Sequence, residues 1–505
     1  MQLLLEVVQL LDRYQVRQID VLTNPRSTTD SKEHRYYEFY SGLRDGRWQT
    51  EAEAAASFGM EADSKAFARL KKELLKRLQN SILFIDTTLP EFTDHSRAHL
   101  TLRQRWALAM TLWSRGMMRS FQEIAFELLQ LASKYEFIDL AAEIAMYLKA
   151  NIVTYPQLNQ HYARIKNQHD EFRAALQAEL AVREAYEAVI LPLTSKKGYK
   201  KENNEIARKY SQELRPLAEQ YQHIALQKLY RLLELYVEQF DRNWAAALQK
   251  ARSARLYFKN KPFDTKHHQL AFSQQEIGCL IMLGRYAEAK EICAEVQPLA
   301  NESIYNHFKT RELALVCELY AADYAEAWRH CKEVMRHPRF REISTMDQES
   351  WRLFYGYLCF LVKSKRLELS PREKGEVEKF RLGSWLNDLP LFSQDKRGAN
   401  VPTLILQAMF LLLDGKLEAF DNRIEALRKY RQRNIDADEE HFRTSCFIRL
   451  LELVVRHGYQ RNALQVEAEQ LVAAMSRVSN DILDRSFEIE VVPYERQWEW
   501  IAAML

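Results

Sequence analysis

Glycine and proline are scarce in this sequence, with 13 glycines and 12 prolines among 505 residues. These two residues supply many of the tight turns in β-rich and doubly wound α/β proteins. Their scarcity argues against both classes and favours long helices joined by few connections. Hydrophobic residues make up 47% and charged residues 28%, which is the composition of a globular chain and not of a disordered one.

Long apolar runs are also missing. No stretch approaches the ~18 apolar residues of a transmembrane helix, because residues 404–413 are too few and include Gln407. The N-terminal MQLLLEVVQLLDRYQ has no positive n-region and no small-residue cleavage site, so it is interpreted as an amphipathic helix and not as a signal peptide. We therefore expect a cytoplasmic protein without a membrane partner.

An excess of one charge sign is absent. Lys and Arg number 72 and Asp and Glu 69, which gives a formal net charge of +3. A global basic field that would attract nucleic acid is excluded, so any such binding requires a local patch.

Catalytic motifs are missing as well. The chain has no G-x-x-x-x-G-K-[ST], no G-x-G-x-x-G after a strand, no H-E-x-x-H and no G-x-S-x-G. His267 and His268 lack a spaced carboxylate partner, and the acidic run that ends at His441 is interpreted as a helix start. We expect a non-enzymatic protein with no catalytic residue, cofactor or metal site.

Cysteines are few, and none forms a C-x-x-C pair. The six are Cys279, Cys293, Cys317, Cys331, Cys359 and Cys446. Zinc is the alternative to reduced, buried thiols, but no thiolate and imidazole cluster has the usual ligand spacing. We predict that these residues act as small hydrophobic side chains in the core.

The positive signal is an internal repeat at an offset of 38 residues. The residues of the first copy are Cys279, Tyr286, Ala287, Glu288, Ala289, Cys293, Glu295 and Val296, and those of the second are Cys317, Tyr324, Ala325, Glu326, Ala327, Cys331, Glu333 and Val334. A period of this length is typical of stacked helical hairpins, which bury their apolar faces only against neighbouring units. Ala289 and Ala327 are predicted to lie at helix–helix contacts, where a small side chain permits close approach.

The repeated segments resemble tetratricopeptide repeats. Gly284 matches the family's glycine before the turn, Tyr286 and Tyr324 its aromatic position, and Ala289 and Ala327 its small packing positions. The period is 38 to 42 residues instead of ~34, and the family's first-helix Trp is absent. The resemblance covers about residues 225–340. It implies a helical solenoid that binds peptides or helices in a concave groove.

A wider resemblance is to a group of bacterial helical-repeat proteins. It is carried by residues 393–398 (SQDKRG), residues 423–430 (RIEALRKY) and the tail 487–495 (FEIEVVPYE). No particular activity is implied by it.

The predicted fold is all-α, a tetratricopeptide-like solenoid with a helical N-terminal domain and a long antiparallel helical hairpin. The predicted segments are an N-terminal helical domain (1–92), repeat-like helices (93–158), the long hairpin (159–240), tetratricopeptide-like repeats (241–370), a Pro/Gly-rich connector (371–402) and C-terminal helical repeats with a short extended tail (403–505). Within the hairpin, unbroken helices are predicted at 159–193 and 203–240. The seam of the second helix is predicted at Ile206, Tyr210, Leu214, Leu217, Tyr221 and Ile224.

The helix predicted from Ser64 to Leu83 is the clearest candidate binding element. Its cations Lys65, Arg69, Lys72 and Lys76 share one face, at spacings of 4, 3 and 4. Thr50 and Glu53 predict a preceding short helix with a capping box, so residues 50–83 suggest a helix-turn-helix unit whose cations meet phosphates. The alternative is a solvated face of an ordinary bundle helix.

Two further charged segments are weaker candidates. The hairpin tip carries Lys196, Lys197, Lys200 and Lys201, and the connector contains the run Asp395 to Gly398. Each could bind a partner, but a solvated loop tip is the favoured interpretation of the lysines, and a capping turn explains the connector run at least as well. We expect a scaffold or adaptor that binds a protein or peptide partner, with a nucleic-acid-associated regulator as the alternative function.

Overall fold

The computed structural model describes residues 1–13, 31–48, 50–82, 85–86, 93–155, 159–194, 201–300, 303–387, 401–435, 441–478 and 490–505. The regular secondary structure of these residues is helical, with no β-strand among them. The predicted all-α fold class is confirmed. The chain divides into two compact units, residues 1–173 and 174–505.

The described residues of the first unit form seven complete helices and the start of an eighth. They are α1 (Gln2–Arg13), α2 (Ser31–Arg44), α3 (Glu51–Ser57), α4 (Lys65–Ser81), α5 (Asp94–Ser114), α6 (Met118–Lys134), α7 (Ile138–Thr154) and α8 (Asn159–Thr194), whose C-terminal part belongs to the second unit. Helices α1, α2 and α4 pack on one another around Phe39, Phe67 and Leu74. Helices α5, α6 and α7 pack in sequence around Phe121, with Leu102 on α5.

The second unit continues with helices that pack mainly on their neighbours along the chain. They are α9 (Lys201–Gln220), α10 (Ile224–Phe240), α11 (Trp244–Lys259), α12 (Lys266–Met282), α13 (Tyr286–Ala300), α14 (Ile304–Tyr320), α15 (Tyr324–Met335), α16 (Thr345–Lys363), α17 (Pro371–Glu378), α18 (Leu382–Asn387), α19 (Val401–Leu413), α20 (Leu417–Asn434), α21 (Phe442–Arg456), α22 (Arg461–Met475) and α23 (Tyr494–Ala502). A short 3-10 helix at Pro338–Glu342 precedes α16.

One turn recurs between antiparallel neighbours in both units. It has three residues, and the middle one has a positive φ: Gly116, Glu136, Arg242, Gly284, Ala322 and Gly415. In each copy two backbone N–H groups satisfy the last helical carbonyls, as when Arg285 donates to Leu280 and Gly284 donates to Ile281. This is the Schellman arrangement. Because only three of these six turns contain glycine, the sequence pattern reveals only some of them.

The predicted helix from residue 203 to residue 240 is wrong, because the structure contains α9 and α10 separated at Tyr221–His223. The buried Gln227 amide donates to the carbonyls of Ala218 and Tyr221 and so satisfies the end of α9. A side chain that caps these carbonyls stabilises a break that apolar periodicity does not show.

The predicted seam of α9 is also displaced. The buried residues of α9 are Asn203, Ala207, Ser211, Leu214 and Ala218, so only Leu214 of the predicted set on this helix is buried. Small and polar side chains occupy the contact, and the large ones at Ile206 and Tyr210 lie toward its edge.

The predicted connector 371–402 contains two helices, α17 and α18, before the part that lies outside the described residues. Ser370 forms a capping box with Glu373, and Pro371 occupies the first turn of α17. The sequence S-P-R-E therefore signals a helix start that a count of glycines and prolines misses. Of the predicted extended piece 487–491, only residues 490 and 491 are described, and neither forms a strand.

At the left-handed position of the recurring turn, glycine-to-alanine and alanine-to-glycine substitutions are expected to change the free energy of unfolding in opposite directions. Gly284 has a φ of 72°, and no heavy atom lies within 4 Å of the position that a Cβ would take, so Gly284→Ala adds only backbone strain. We expect it to lower the free energy of unfolding by about 1 kcal/mol. Ala322 has a φ of 62°, so Ala322→Gly removes backbone strain and should raise the free energy of unfolding by a smaller amount. Urea denaturation followed by circular dichroism measures both changes in the free energy of unfolding. Changes of the same sign would contradict the assignment of these residues to the left-handed position of the turn.

Close packing of the repeated alanines predicts a second effect. Ala289 is fully buried, whereas Ala287, two residues away on α13, is exposed. Ala289→Leu overpacks the contact and should lower the free energy of unfolding by about 1–3 kcal/mol. Ala287→Leu is the matched control, and its effect should stay within about 0.5 kcal/mol. Similar urea midpoints for the two variants would show that the contact is not tight.

Candidate interaction surfaces

Helix α4 presents the predicted basic face. The Thr50 side chain accepts a hydrogen bond from the Glu53 N–H at 3.2 Å and starts α3, and Gly59 at a φ of 67° follows the end of that helix. On α4 the apolar side of the helix is buried, and its members are Phe67, Leu70, Leu74 and Leu78. This burial fixes the orientation of the opposite side.

The four cations of that opposite side are all exposed: Lys65, Arg69, Lys72 and Lys76. Within the described residues the ion pairs of α4 are formed by two other cations, Lys71 with Glu51 and Arg77 with Glu73. The face therefore keeps its charge without a protein counter-ion in the described part of the chain. It can attract phosphates or carboxylates of a partner.

The repeat-packing residues occupy equivalent positions in two helix pairs. Ala289 and Ala327 are fully buried at helix contacts. Tyr286 and Tyr324 are the first residues of α13 and α15 and are partly buried. Burial raises the pKa of both phenols, and the cation of Arg496 opposes that rise. Both tyrosines therefore lie near the C-terminal end of the chain.

The C-terminal segment, residues 490–505, packs across several helix pairs. The Tyr320 hydroxyl on α14 donates to the carbonyl of Glu490 at 2.8 Å, and Arg366 after α16 donates to the carbonyl of Trp500 at 3.2 Å. The ring of Trp500 contacts those of Tyr324 and Phe360, each at a centroid distance of 6.0 Å. The segment therefore contacts side chains that are separated from it by 170 and 134 residues in the sequence.

A buried arginine holds this segment on α21. Arg443 Nη2 lies 2.9 Å from Glu490 Oε2 and 2.7 Å from Glu495 Oε2. Its Nη1 donates to the carbonyls of Met475 and Val478 at 2.7 and 3.0 Å. The side chains of Arg443 and Glu490 are only 8% and 5% exposed. The guanidinium is thus surrounded by acceptors from three parts of the chain.

The acid–base balance of this cluster is set by burial and by charge. Burial opposes protonation of Arg443, but the hydrogen bonds that it donates to two carboxylates, and their negative charge, keep the pKa of its guanidinium above the ordinary value. Burial raises the pKa of the Glu490 carboxyl, whereas Arg443 outweighs burial at Glu495 and lowers the pKa of that carboxyl. Removal of one partner would leave a buried charge unpaired, which is strongly destabilising.

Apolar contacts add most of the attachment energy. Six apolar or aromatic side chains of the segment are at least nine-tenths buried: Val491, Val492, Tyr494, Trp498, Trp500 and Ile501. At about 1.5–3 kcal/mol for each large side chain, their burial contributes on the order of 10 kcal/mol before entropy is subtracted. The intact chain therefore keeps the segment bound under native conditions.

An open recess lies between α15 and α17 and has a volume of about 540 Å³. Its lining residues are Ala325, Trp328, Arg329, Lys332, Glu333, Arg336, Glu368, Leu369, Ser370 and Glu373. The Trp328 indole donates to Glu373 at 3.0 Å, and Lys332 pairs with Glu376, so both contacts join the two helices. Arg329 and Arg336 are 61% and 65% exposed and supply accessible cations.

One group of three side chains in the described part of the chain has the spacing of a metal site. Ligand atoms of Glu318, Glu326 and His330 lie within 4.8 Å of one another. His330 Nδ1 lies 2.9 Å from Glu318 Oε1, and Glu326 pairs with Arg329. The His330–Glu318 pair joins α14 to α15, whereas the Glu326–Arg329 pair lies within α15. Together the two pairs account for the group as an ion-pair network.

All six cysteines are buried and none forms a disulfide, which confirms the predicted buried thiols. Burial raises the pKa of Cys279 to about 11, and that of Cys293, Cys317 and Cys359 to about 12. Burial also raises the pKa of Cys331 and Cys446. The thiolate, which is the reactive and metal-binding form, is thereby suppressed.

Several predicted sites lie outside the described residues. They are Lys196, Lys197 and Lys200 of the hairpin tip and the run Asp395 to Gly398 of the connector. Lys201 begins α9, and only its backbone is described.

The cluster around Arg443 was not predicted from the sequence. Its members are distant along the chain, since Arg443 and Glu490 are separated by 47 residues. The sequence signal that could have revealed it is E-V-V-P-Y-E at residues 490–495. Its apolar residues between two acids indicate a buried segment and not a solvated tail.

No protein-family model matches this chain, and neither the curated proteins nor the solved structures contain a match. None of the described helices combines the length and the apolar character required to cross a membrane.

Suppressed thiolates predict slow chemistry in the native state. We expect the six cysteines to react with a thiol reagent on the order of 100-fold more slowly in native protein than after denaturation. Ser120→Cys places a thiol at an exposed position of α6 and supplies a fast-reacting reference in the same protein. Thiol titration at pH 8 measures both rates, and rapid reaction of any thiol in the unsubstituted native protein would contradict the burial.

Proposed function

We propose that this protein is a non-enzymatic scaffold or adaptor, a tetratricopeptide-like α-solenoid that binds a helix or peptide of a protein partner. The packing of consecutive helix pairs, joined by one recurring turn, supports the solenoid. Such stacks present extended surfaces whose chemistry varies from pair to pair.

The observation that carries the proposal is the open recess between α15 and α17. Its volume of about 540 Å³ suits an anchoring side chain of a bound segment, and its lining combines Trp328 and Leu369 with charges of both signs. Balanced charges favour a peptide over a phosphate ligand. Because the surface formed by Tyr320, Tyr357 and Thr444 is covered by the C-terminal segment, this recess is the docking position that we assign.

The test combines capture with a surface variant. The intact protein is used to capture partners from lysate, and one captured protein is purified and titrated back by calorimetry. Arg329→Glu with Arg336→Glu reverses two exposed charges of the recess and should weaken the complex roughly tenfold or more. The matched control is Lys416→Glu with Arg456→Glu, which changes cations that are both 62% exposed elsewhere in the same unit. Equal affinities for the two variants would contradict docking at the recess.

A second candidate function, a nucleic-acid-associated regulator, is favoured by the basic face of α4. Four exposed cations cover three helical turns, about 16 Å, without a counter-ion in the described residues. This spacing allows contacts to successive phosphates. No amide or hydroxyl side chain stands among the four, so recognition would rest on the phosphate backbone.

Salt dependence distinguishes the two functions. If the four cations each contact one phosphate of duplex DNA, the logarithm of affinity should fall against the logarithm of salt concentration with a slope of roughly −3.6. Changing Lys65, Arg69, Lys72 and Lys76 together to Glu should abolish that binding without unfolding α4, because its apolar side is unchanged. A control changes Arg115, Arg164, Lys259 and Arg461 to Glu, which alters net charge equally at scattered exposed positions. Equal losses in both variants would refute a specific basic face.

A further inference from the structure

We propose that helices α14, α15, α16 and α21 form a binding surface for acidic, aromatic protein segments, and that residues 490–505 occupy it as a built-in ligand. The surface consists of Tyr320, Tyr324, Tyr357, Phe360, Arg366, Arg443, Thr444 and Phe447. The inference rests on the proposed scaffold function and specifies the class of segment that one of its surfaces recognises.

The segment packs on the final helix pair, α21 and α22, as a terminal cap does, but its contacts extend beyond that pair. A capping helix continues a stack and contacts the final repeat, because each unit in a solenoid packs on its immediate neighbours. Here Tyr320 on α14, Tyr357 on α16 and Thr444 on α21 all contact the segment. The segment therefore crosses the first helices of several pairs, as a bound peptide does in a groove.

Recognition of the main chain is supplied by side chains of the surface. The Tyr320 hydroxyl and the Arg366 guanidinium donate to carbonyls at the two ends of the segment, those of Glu490 and Trp500. Contacts of this type give affinity that does not depend on the bound sequence, and pockets for alternate side chains add specificity.

Arg443 imposes the requirement for acids. It contacts the carboxylates of Glu490 and Glu495, which are five residues apart, and its own side chain is 8% exposed. A bound segment without matching carboxylates would leave this guanidinium buried without a counter-ion, with only the carbonyls of Met475 and Val478 as acceptors. That cost excludes segments of the wrong charge.

Aromatic anchors complete the recognition. Tyr494 stacks on Phe447 at a centroid distance of 4.5 Å and an interplanar angle of 11°. Trp500 meets Tyr324 and Phe360 at the other end. Large aromatic side chains in well-packed pockets dominate the energy of many interfaces. The expected ligand therefore has two acids five residues apart, a tyrosine and a C-terminal tryptophan-containing helix.

The covalent tether explains why the surface is closed in the intact chain. Residues 479–489 join α22 to the segment, and a short tether gives an effective concentration in the millimolar range. A free segment at micromolar concentration cannot compete with that. Cutting the tether converts the segment into an exchangeable ligand.

The experiment introduces a specific protease site within residues 479–489 of the full chain and cleaves it after purification. A fluorescein-labelled synthetic peptide of residues 486–505 is then added, and its anisotropy is measured. We expect saturable binding to the cleaved protein and an apparent affinity at least about 100-fold weaker for the uncleaved protein. Circular dichroism should show that the cleaved protein keeps its helices.

Peptide variants test the chemistry without altering the protein. A peptide carrying Glu490→Gln and Glu495→Gln should bind at least about tenfold more weakly. A peptide carrying Glu499→Gln is the matched control, because Glu499 is exposed on α23, and its affinity should not change. Loss of helicity after cleavage, absence of labelled-peptide binding, or equal effects of the two peptide variants would each overturn the proposal. Partner capture through the α15–α17 recess would persist in those cases, so failure here is distinct from failure of the scaffold function.

Discussion

The three-residue turn with one left-handed residue is the constraint on which the helix pairs depend. It reverses the chain within a few ångströms and places consecutive helices antiparallel, where an apolar stripe on each can be buried against the other. Glycine fills the left-handed position at Gly116, Gly284 and Gly415, and Ala322 occupies it at a cost in backbone strain. Because so short a turn keeps the two helices close together, Ala289 and Ala327 must be small where the second helix of each pair packs on its neighbours. Local backbone geometry thus dictates side-chain size at the contact.

The cluster around Arg443 shows a different balance. Apolar residues of equal volume would fill the same space without the desolvation of three charges, so the cluster is not explained by stability alone. What it adds is selectivity, because only a segment with carboxylates at the positions of Glu490 and Glu495 satisfies the guanidinium. The apolar contacts of Tyr494 and Trp500 supply affinity, and the charges determine which segment can use it. This division of roles is typical of recognition sites.

Much of this architecture could be predicted from the sequence, and the missing part has physical causes. The apolar face of α4 and the equivalence of Tyr286 with Tyr324 are encoded in short stretches of sequence. Hydrophobic periodicity and an internal repeat therefore reveal them directly. The break after α9 depends on Gln227, a buried amide whose hydrogen bonds to Ala218 and Tyr221 leave no periodic trace. The site around Arg443 depends on residues that meet only after the intervening helices have packed. Long-range polar contacts of this kind are set by tertiary structure, so sequence periodicity cannot locate them.

The distribution of charge, and not its total, separates the candidate functions. In the second unit, cations form ion pairs between neighbouring helices. Arg252 and Arg255, for example, both pair with the buried Glu276. Such pairs join neighbouring helices, so the charge of these two cations is compensated within the fold. On α4 of the first unit, the exposed cations have no such partners among the described residues. A chain whose net charge is only +3 can therefore carry one surface suited to phosphates and others suited to protein segments.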